Sequence, residues 1–173
     1  CARKIANADA GSIYEYSNKE NKLTIRYSQN DTLQKKLAPG EKLPYNFFSL
    51  VPTKESISGY CVISKKIINI EDVYNLPEYL DKEQTEKRPY QFSKYSDEKT
   101  NYHSKSMLTL PLLTRNGNVL GVLQIINAQD KDGNVVIDLE ALLNGQELDI
   151  TKIDLEKVLT VVADALDLVI GTS

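Results

Sequence analysis

Two apolar runs, residues 106–113 and 119–127, carry hydrophobic side chains at nearly every position. Successive side chains of a strand point to opposite faces, so both faces of each run are apolar. The alternation sets Leu108, Leu110 and Leu112 against Met107 and Leu113, and it sets Val119, Leu123 and Ile125 against Leu120, Val122 and Ile126. A strand with two apolar faces must be covered on both sides. We therefore predict two central strands, with helices on one face of the sheet and a different cover on the other.

Asn116-Gly117 lies between these two runs. An Asn-Gly pair flanked by strands predicts a hairpin with a type I′ turn, in which both central residues have positive φ. A second hairpin is predicted from residues 11–16 and 22–28, which alternate at period two around a polar loop. Its expected core face carries Ile13 with Leu23 and Ile25, and the opposite face carries Tyr14 and Tyr16.

The remaining pattern predicts a helix ending at Ala8, a short helix over 57–64, a short strand over 67–70 and a last helix over 150–171. The last helix begins at Thr151 as N-cap and carries two apolar stripes. Either both stripes are buried within the domain, or one packs on the sheet and the other on a partner. The element order favours an α+β fold of one domain, residues 1–173. We expect a central antiparallel sheet of about five or six strands, with terminal helices on one face and a lid over a ligand pocket on the other.

The lid is predicted from residues 71–104, because loops of that length without regular structure are usually functional or disordered. The segment contains six aromatic residues, which argues against disorder. Aromatic rings can stack on a planar ligand, and tyrosine hydroxyls can hydrogen-bond it. The six are Tyr74, Tyr79, Tyr90, Phe92, Tyr95 and Tyr102.

Composition narrows the classes of partner. A formal charge of -3 and a pI near 5.3 argue against nucleic acid, which needs a basic surface. No apolar run approaches the ~20 residues needed to span a bilayer, so we expect no direct membrane contact and a cytoplasmic location. Two cysteines and one histidine make a metal site improbable, and Cys61 is expected to be a buried thiol.

Several short motifs together resemble the GAF domain family, and the resemblance covers roughly residues 2–128 plus the final helix. It is closest to bacterial GAF domains similar to those of cyclic-nucleotide phosphodiesterases and to those beside HD-GYP, kinase or cyclase modules. In this chain the family's usual Thr-Gly-Tyr is Thr100-Asn101-Tyr102, and asparagine tolerates positive φ nearly as glycine does. The link over 130–151 is longer than usual. The motifs lie at residues 8–14, 57–60, 68–74, 92, 97–102, 104–111 and 121–127.

The resemblance implies a regulatory domain that binds a small molecule between the sheet and the lid, with a cyclic nucleotide as the candidate ligand. Phe92 and Asp97 match a signature of cyclic-nucleotide-regulated members, although Asp97 can instead pair with a lysine or cap the turn at Thr100. Free N–H groups at the start of the helix over 57–64 can receive a phosphate or carbonyl. The candidate ligand-binding residues are Arg26, Phe47, Phe48, Ile57, Ser58, Gly59, Asn69, Tyr74, Phe92, Tyr95, Asp97, Thr100 and Tyr102.

Catalysis is not expected. His103, Ser104 and Asp97 lack the sequence context of a nucleophile elbow, and Cys61 lacks a resolving thiol for redox chemistry. Two functions remain open. One is a sensor whose lid closure acts through the terminal helices on a covalently linked output domain. The other is a ligand-free dimerisation scaffold with a vestigial pocket. In both, a homodimer is expected to form through the terminal helices, which include the helix over 150–171.

Overall fold

A computed structural model of the chain describes residues 8–41 and 48–128. These form a six-stranded antiparallel sheet in the order β3-β2-β1-β6-β5-β4. The strands are β1 Ala8–Ser17, β2 Lys22–Asn30, β3 Ser49–Leu50, β4 Ile68–Ile70, β5 Met107–Leu113 and β6 Val119–Ala128. The helices are α1 Asp31–Gln34, α2 Ile57–Ser64 and α3 Tyr95–Thr100.

The α+β fold and both hairpins are confirmed, because β1 pairs with β2 and β5 pairs with β6. The β6 strand lies between β1 and β5, so the apolar run over 119–127 is central in the sheet, as its two hydrophobic faces predict. The prediction that a helix ends at Ala8 is wrong for Ala8 itself, because this residue begins strand β1. The rest of that helix and the helix over 150–171 lie outside the described residues.

Each face of the sheet carries its own apolar cluster. The lid-side cluster is larger and includes side chains from α2 and from the segment after β4. Its buried members are Tyr14, Leu23, Ile25, Ile57, Tyr60, Cys61, Val62, Ile68, Ile70, Val73, Tyr90, Met107 and Val122. The far-side cluster contains Ala8, Leu108, Leu112, Leu123, Ile125 and Ala128, with Ile13 and Leu110 packed against it.

The faces of the first hairpin differ from the prediction. Tyr14 packs with Leu23 and Ile25 on the lid side, whereas Ile13 packs on the far side. Tyr14 lies opposite Ile25 across the two strands, and directly opposite residues share a face. A bulge beside Ile13 lies beyond these pairs. The difference instead comes from the register that the loop sets, in which Ser17 lies opposite Lys22 and Tyr16 opposite Leu23, and alternation within each strand does not reveal that register.

A second bulge reverses the predicted side of Val119. Leu112 lies opposite Gly121 and Leu113 lies opposite Val119, which leaves Leu120 as an extra residue in β6. Val119 therefore packs on the lid side with Val122, and Leu120 is exposed. The other predicted faces of β6 are unaffected, because the bulge lies before them.

The turn between β5 and β6 is not type I′. That turn needs positive φ at both Asn116 and Gly117, and only Gly117 has it, at 78°. The Gly117 N–H donates to the Thr114 carbonyl at 2.9 Å, and the Thr114 N–H donates to the Asn118 carbonyl at 2.8 Å. These bonds fit a type I turn followed by a left-handed residue, the other common hairpin loop.

The α2 helix has the predicted bounds. The Ser56 hydroxyl caps it by accepting from the Gly59 N–H at 3.0 Å, and Lys65 ends it with φ of 56°. The backbone of Thr53 packs directly against the Cα of Gly59, where a Cβ would have no space. In the described part of the chain, no helix has the length and apolar character needed to cross a membrane.

Replacing Gly121 by alanine is expected to destabilise the domain strongly. A Cβ at this position would fall on the backbone of Tyr14 in the neighbouring strand, which cannot move without breaking the β1–β6 ladder. We expect Gly121→Ala to lower the free energy of unfolding by about 3 kcal/mol or more, measured by urea denaturation.

Gly117→Ala is the matched control. A Cβ at Gly117 meets open space, so only the positive φ is strained and the expected loss is ~1 kcal/mol. Equal losses for the two variants would contradict the close packing of β1 against β6.

Candidate functional site

The lid, residues 71–104, is anchored by apolar burial over the sheet face that carries the lid-side cluster. Val73 and Tyr90 are 2% and 5% exposed, and Tyr74, Leu76, Leu80 and Phe92 are partly buried against the same cluster. Burying side chains of this size contributes about 1.5–3 kcal/mol each. The predicted lid is therefore a structured cover with a hydrophobic underside.

Its aromatic residues contact one another and α2. The Tyr90 ring lies 5.3 Å from that of Tyr60 on α2, and the Tyr74 ring lies 5.3 Å edge-on from Phe92. His103 stacks on Tyr74 with centroids 4.6 Å apart. These rings hold the lid in place, since offset and edge-on aromatic pairs are favourable geometries.

A buried carboxylate holds the two ends of the lid together. Asp97 on α3 is 6% exposed and accepts from the Tyr74 hydroxyl at 2.7 Å and from the N–H and hydroxyl of Ser104, each at 2.8 Å. We call this group, formed by Tyr74, Asp97 and Ser104, the Asp97 latch. The hydrogen bond to Asp97 raises the pKa of Tyr74 to about 12, so the tyrosine remains a donor at neutral pH.

A second polar group connects the end of the lid to the ends of β1 and β6. The Tyr102 hydroxyl donates to Asp9 Oδ2 at 2.8 Å and accepts from Asn127 Nδ2 at 2.8 Å. Thr32 of α1 donates to the same Asp9 oxygen at 2.7 Å. Burial, followed by the bond to Asp9, raises the pKa of Tyr102 well above its usual value. We call Asp9, Thr32, Tyr102 and Asn127 the strand-end network.

A row of neutral polar residues crosses the lid-side face of the sheet. Ser28, Ser12, Gln124 and Thr109 lie opposite one another on β2, β1, β6 and β5. Gln124 Nε2 is 3.7 Å from Met107 Sδ, a lid-side atom, and 3.4 Å from Thr109 Oγ1. Both contacts are longer than a good hydrogen bond. Thr109 is fully buried, and Ser12 and Gln124 are less than one tenth exposed.

The sequence matches the profile of one protein family, the GAF domain, over residues 2–150. The chain belongs to the GAF domain family. Such domains are generally regulatory, bind small molecules and sit in larger multidomain proteins. The resemblance found in the sequence motifs is thereby confirmed at the level of the family.

Solved structures of GAF domains resemble the chain at low identity. The GAF domain of an Acinetobacter phosphoenolpyruvate-protein phosphotransferase is 19% identical with a TM-score of 0.44, covering 75% of this chain and 61% of that one. A GAF region of a putative membrane protein from Geobacter sulfurreducens PCA is 17% identical with a TM-score of 0.49, covering 94% and 83%. A type II free methionine-R-sulfoxide reductase from Thermoplasma acidophilum is 18% identical with a TM-score of 0.39, covering 82% of each chain. No curated protein matches the chain.

Several predicted site residues of this GAF domain are close together. Tyr74 contacts both Phe92 and Asp97, and the Tyr102 N–H donates to the Asp97 carbonyl at 3.1 Å. Asn101 has φ of 51° between Thr100 and Tyr102, as its place in the Thr-Asn-Tyr motif predicts. Ile57 and Ser58 are buried at the start of α2, where Ile57 belongs to the lid-side cluster.

Other predicted site residues are placed away from this group. Arg26 pairs with Glu15 at 2.6 Å, and Phe48 is half-exposed edge-on to Tyr14. Asn69 is exposed on β4, opposite Leu108 of the far-side cluster. Thr100 and Tyr95 are exposed on α3, where the Thr100 hydroxyl donates to the Ser96 carbonyl at 2.7 Å. Phe47 lies outside the described residues.

The polar row and the strand-end network were not predicted from the sequence. The available signal was a single polar residue inside an apolar strand, as with Thr109 in MLTLPLL and Gln124 in VLGVLQIINA. Asp9 and Asn127 carry no comparable signal, because they lie near strand ends where polar residues are common. Ser12 carries none because other polar residues share its strand.

The expected buried thiol is confirmed. Cys61 is fully buried, its Sγ lies 3.5 Å from the Lys66 carbonyl, and burial raises its pKa to about 12. In residues 8–41 and 48–128, no group of three or more His, Cys, Asp and Glu side chains is placed to hold a metal ion.

Two buried serines at the end of the lid are expected to differ in their effect on stability. Ser104→Ala removes a donor to Asp97 and is expected to lower the free energy of unfolding by ~1–2 kcal/mol. Ser106 is equally buried, but its hydroxyl has no partner, so Ser106→Ala is expected to leave stability unchanged or raise it. Urea denaturation measures both, and a greater loss for Ser106→Ala would contradict the Asp97 latch.

The Cys61 thiol is expected to resist alkylation in the folded domain. In a Cys1→Ser variant, which leaves Cys61 as the single thiol, iodoacetamide at pH 8 should react at most slowly until denaturant is added. The folded state holds the Cys61 proton more tightly than the unfolded state, because burial raises the pKa of the thiol to about 12. Its contribution to the free energy of unfolding is therefore complete below pH ~8.5 and falls as the pH rises toward 12. Rapid labelling of the native protein would show that the thiol is accessible.

Proposed function

We propose that residues 1–173 form one sensor domain that binds a small molecule between the lid and the polar row. The observation that carries this proposal is the row of Ser12, Gln124 and Thr109 on the lid-side face of the sheet. Ser12 and Ser28 hydrogen-bond each other at 3.2 Å, but the Gln124 amide makes only the long contacts to Thr109 and Met107. A polar group buried without good hydrogen bonds costs about 1–3 kcal/mol. A ligand that supplies those bonds would recover this free energy.

The chemistry of the row favours a particular ligand class. The serine and threonine hydroxyls and the Gln124 carboxamide are all neutral. A carboxamide offers a donor and an acceptor side by side, which matches the planar amide-like edge of a nucleobase. Cyclic nucleotides therefore belong at the front of the ligand panel. The buried N-terminus of α2, at Ile57 and Ser58, is a second candidate contact because its backbone N–H groups attract anions.

The domain is proposed to be regulatory rather than catalytic. A fully buried thiol whose pKa is raised to about 12 is a poor nucleophile, so Cys61 is unsuited to sulfoxide reduction. The signal would instead pass to a covalently linked output domain, with the helix predicted over 150–171 forming a homodimer. Sedimentation of the wild type and of a Leu155→Glu/Val158→Glu variant tests that dimer, which a monomeric wild type would exclude.

Ligand binding is tested by thermal shift against cyclic mono- and dinucleotides, amino acids and nucleobases. A ligand at a hundred times its dissociation constant stabilises the folded state by ~2.7 kcal/mol. We expect one of these compounds to give a saturable shift, whereas a folded dimer with no response to any of them would support the scaffold function.

The site is tested with substitutions that keep side-chain volume. Gln124→Met and Thr109→Val remove polar atoms from the row, and each is expected to weaken binding about tenfold, measured by calorimetry. Asn69→Ala, on the exposed edge strand, is the control and should leave the affinity unchanged. Full affinity in both row variants would place the ligand elsewhere.

A further inference from the structure

The Asp97 latch and the strand-end network meet in one short segment of the lid, residues 97–104. The Asp97 side chain binds Tyr74 and Ser104, and its backbone carbonyl accepts the N–H of Tyr102 at 3.1 Å. Tyr102 and Ser104 therefore cannot shift independently of Asp97. Tyr74 in turn contacts Phe92 and His103, so the latch is in contact with the middle of the lid as well as with its end.

The strand-end network connects the end of the lid to strands β1 and β6. The Tyr102 hydroxyl joins Asp9 in β1 to Asn127 in β6, and both of these residues are less than one tenth exposed. Both donors of the Asn127 amide are used, since its Nδ2 also donates to the His103 carbonyl at 2.9 Å, and its Oδ1 accepts from the Lys105 N–H at 2.7 Å. Its own N–H donates to the Ser106 carbonyl at 2.9 Å.

The strand-end network lies where the sheet continues into the rest of the chain. Asp9 and Asn127 lie at the ends of β1 and β6 that lead to residues 1–7 and 129–173. Tyr102 is 93 residues from Asp9 and 25 residues from Asn127 in sequence, but one hydrogen bond joins it to each of them. The Tyr102 phenol therefore contacts both strand ends, whereas the His103 carbonyl, the other lid group bonded to this network, contacts Asn127 alone.

We propose that Tyr102 is a coupling residue, which transmits the state of the Asp97 latch to the paired ends of β1 and β6. The path runs from Tyr74 through Asp97 to Tyr102, and then to Asp9 and Asn127. Residues held by such a chain of bonds share their local opening, because loss of one bond lowers the free energy of opening of the next. The coupling rests on the proposed sensor function: when a ligand moves the lid, Tyr102 would pass that movement to the ends of β1 and β6.

Amide hydrogen exchange of the full chain, without ligand, tests the coupling in a double-mutant cycle. Tyr74→Phe breaks the latch at its far end, more than twenty residues from the nearest strand-end residue in sequence. We expect it to raise exchange of the Asn127 and Lys105 amides about five-fold, the effect of one net hydrogen bond. In a Tyr102→Phe background, the same change should leave those two rates unaltered.

Tyr16→Phe is the matched control, because it removes another tyrosine hydrogen bond, the one from Tyr16 to Asn21 in the first hairpin at 3.1 Å. It should not alter exchange at Asn127. If Tyr102→Phe does not fold, Tyr74→Phe alone decides. Unchanged exchange at Asn127 and Lys105 would overturn the coupling, and so would an equal rise in the Tyr102→Phe background. Since no ligand is present, either result is independent of whether the domain binds a small molecule.

Discussion

The Asp97 carboxylate is the interaction on which the arrangement of the lid depends. It lies on a helix of six residues and accepts three hydrogen bonds from two segments of the lid that are far apart in sequence. A carboxylate removed from water is tolerated only when its acceptor sites are filled, and here Tyr74 and Ser104 fill them. The sequence allowed Asp97 to pair with a lysine or cap the turn at Thr100; its partners are instead a tyrosine and a serine.

Apolar burial and polar contacts have different parts in this structure. Val73 and Tyr90 attach the lid to the sheet through the non-directional hydrophobic effect, which does not depend on a particular register. The Asp97 latch and the strand-end network fix that register, because hydrogen bonds need specific distances and angles. A ligand that competes for these bonds could move the lid without detaching it.

Features that depend on neighbouring residues in the sequence were predicted, whereas features that depend on residues far apart in the sequence were not. Strands β5 and β6, helix α2 and the left-handed Asn101 were predictable because their signals are local: two apolar runs around an Asn-Gly pair, an apolar pattern over 57–64 and a turn residue. The side of Ile13 was predicted wrongly because the loop sets the register of the first hairpin, and the side of Val119 because of a bulge. Alternation reveals neither. The strand-end network joins residues 93 positions apart, from Asp9 to Tyr102, and no local pattern reports such a contact.

The same reasoning separates the polar row from the latch. The latch satisfies its buried groups within the protein, so it stabilises the folded state and gains nothing from a ligand. In the row, the Gln124 amide makes only long contacts, of 3.4 and 3.7 Å, so its hydrogen bonds are weaker than those of Asp97. A domain selected for stability alone would be better served by an apolar residue at position 124. The proposed recognition of a ligand would give Gln124 a use that stability does not, whereas the bonds of Asp97 already account for it by the positioning of the lid.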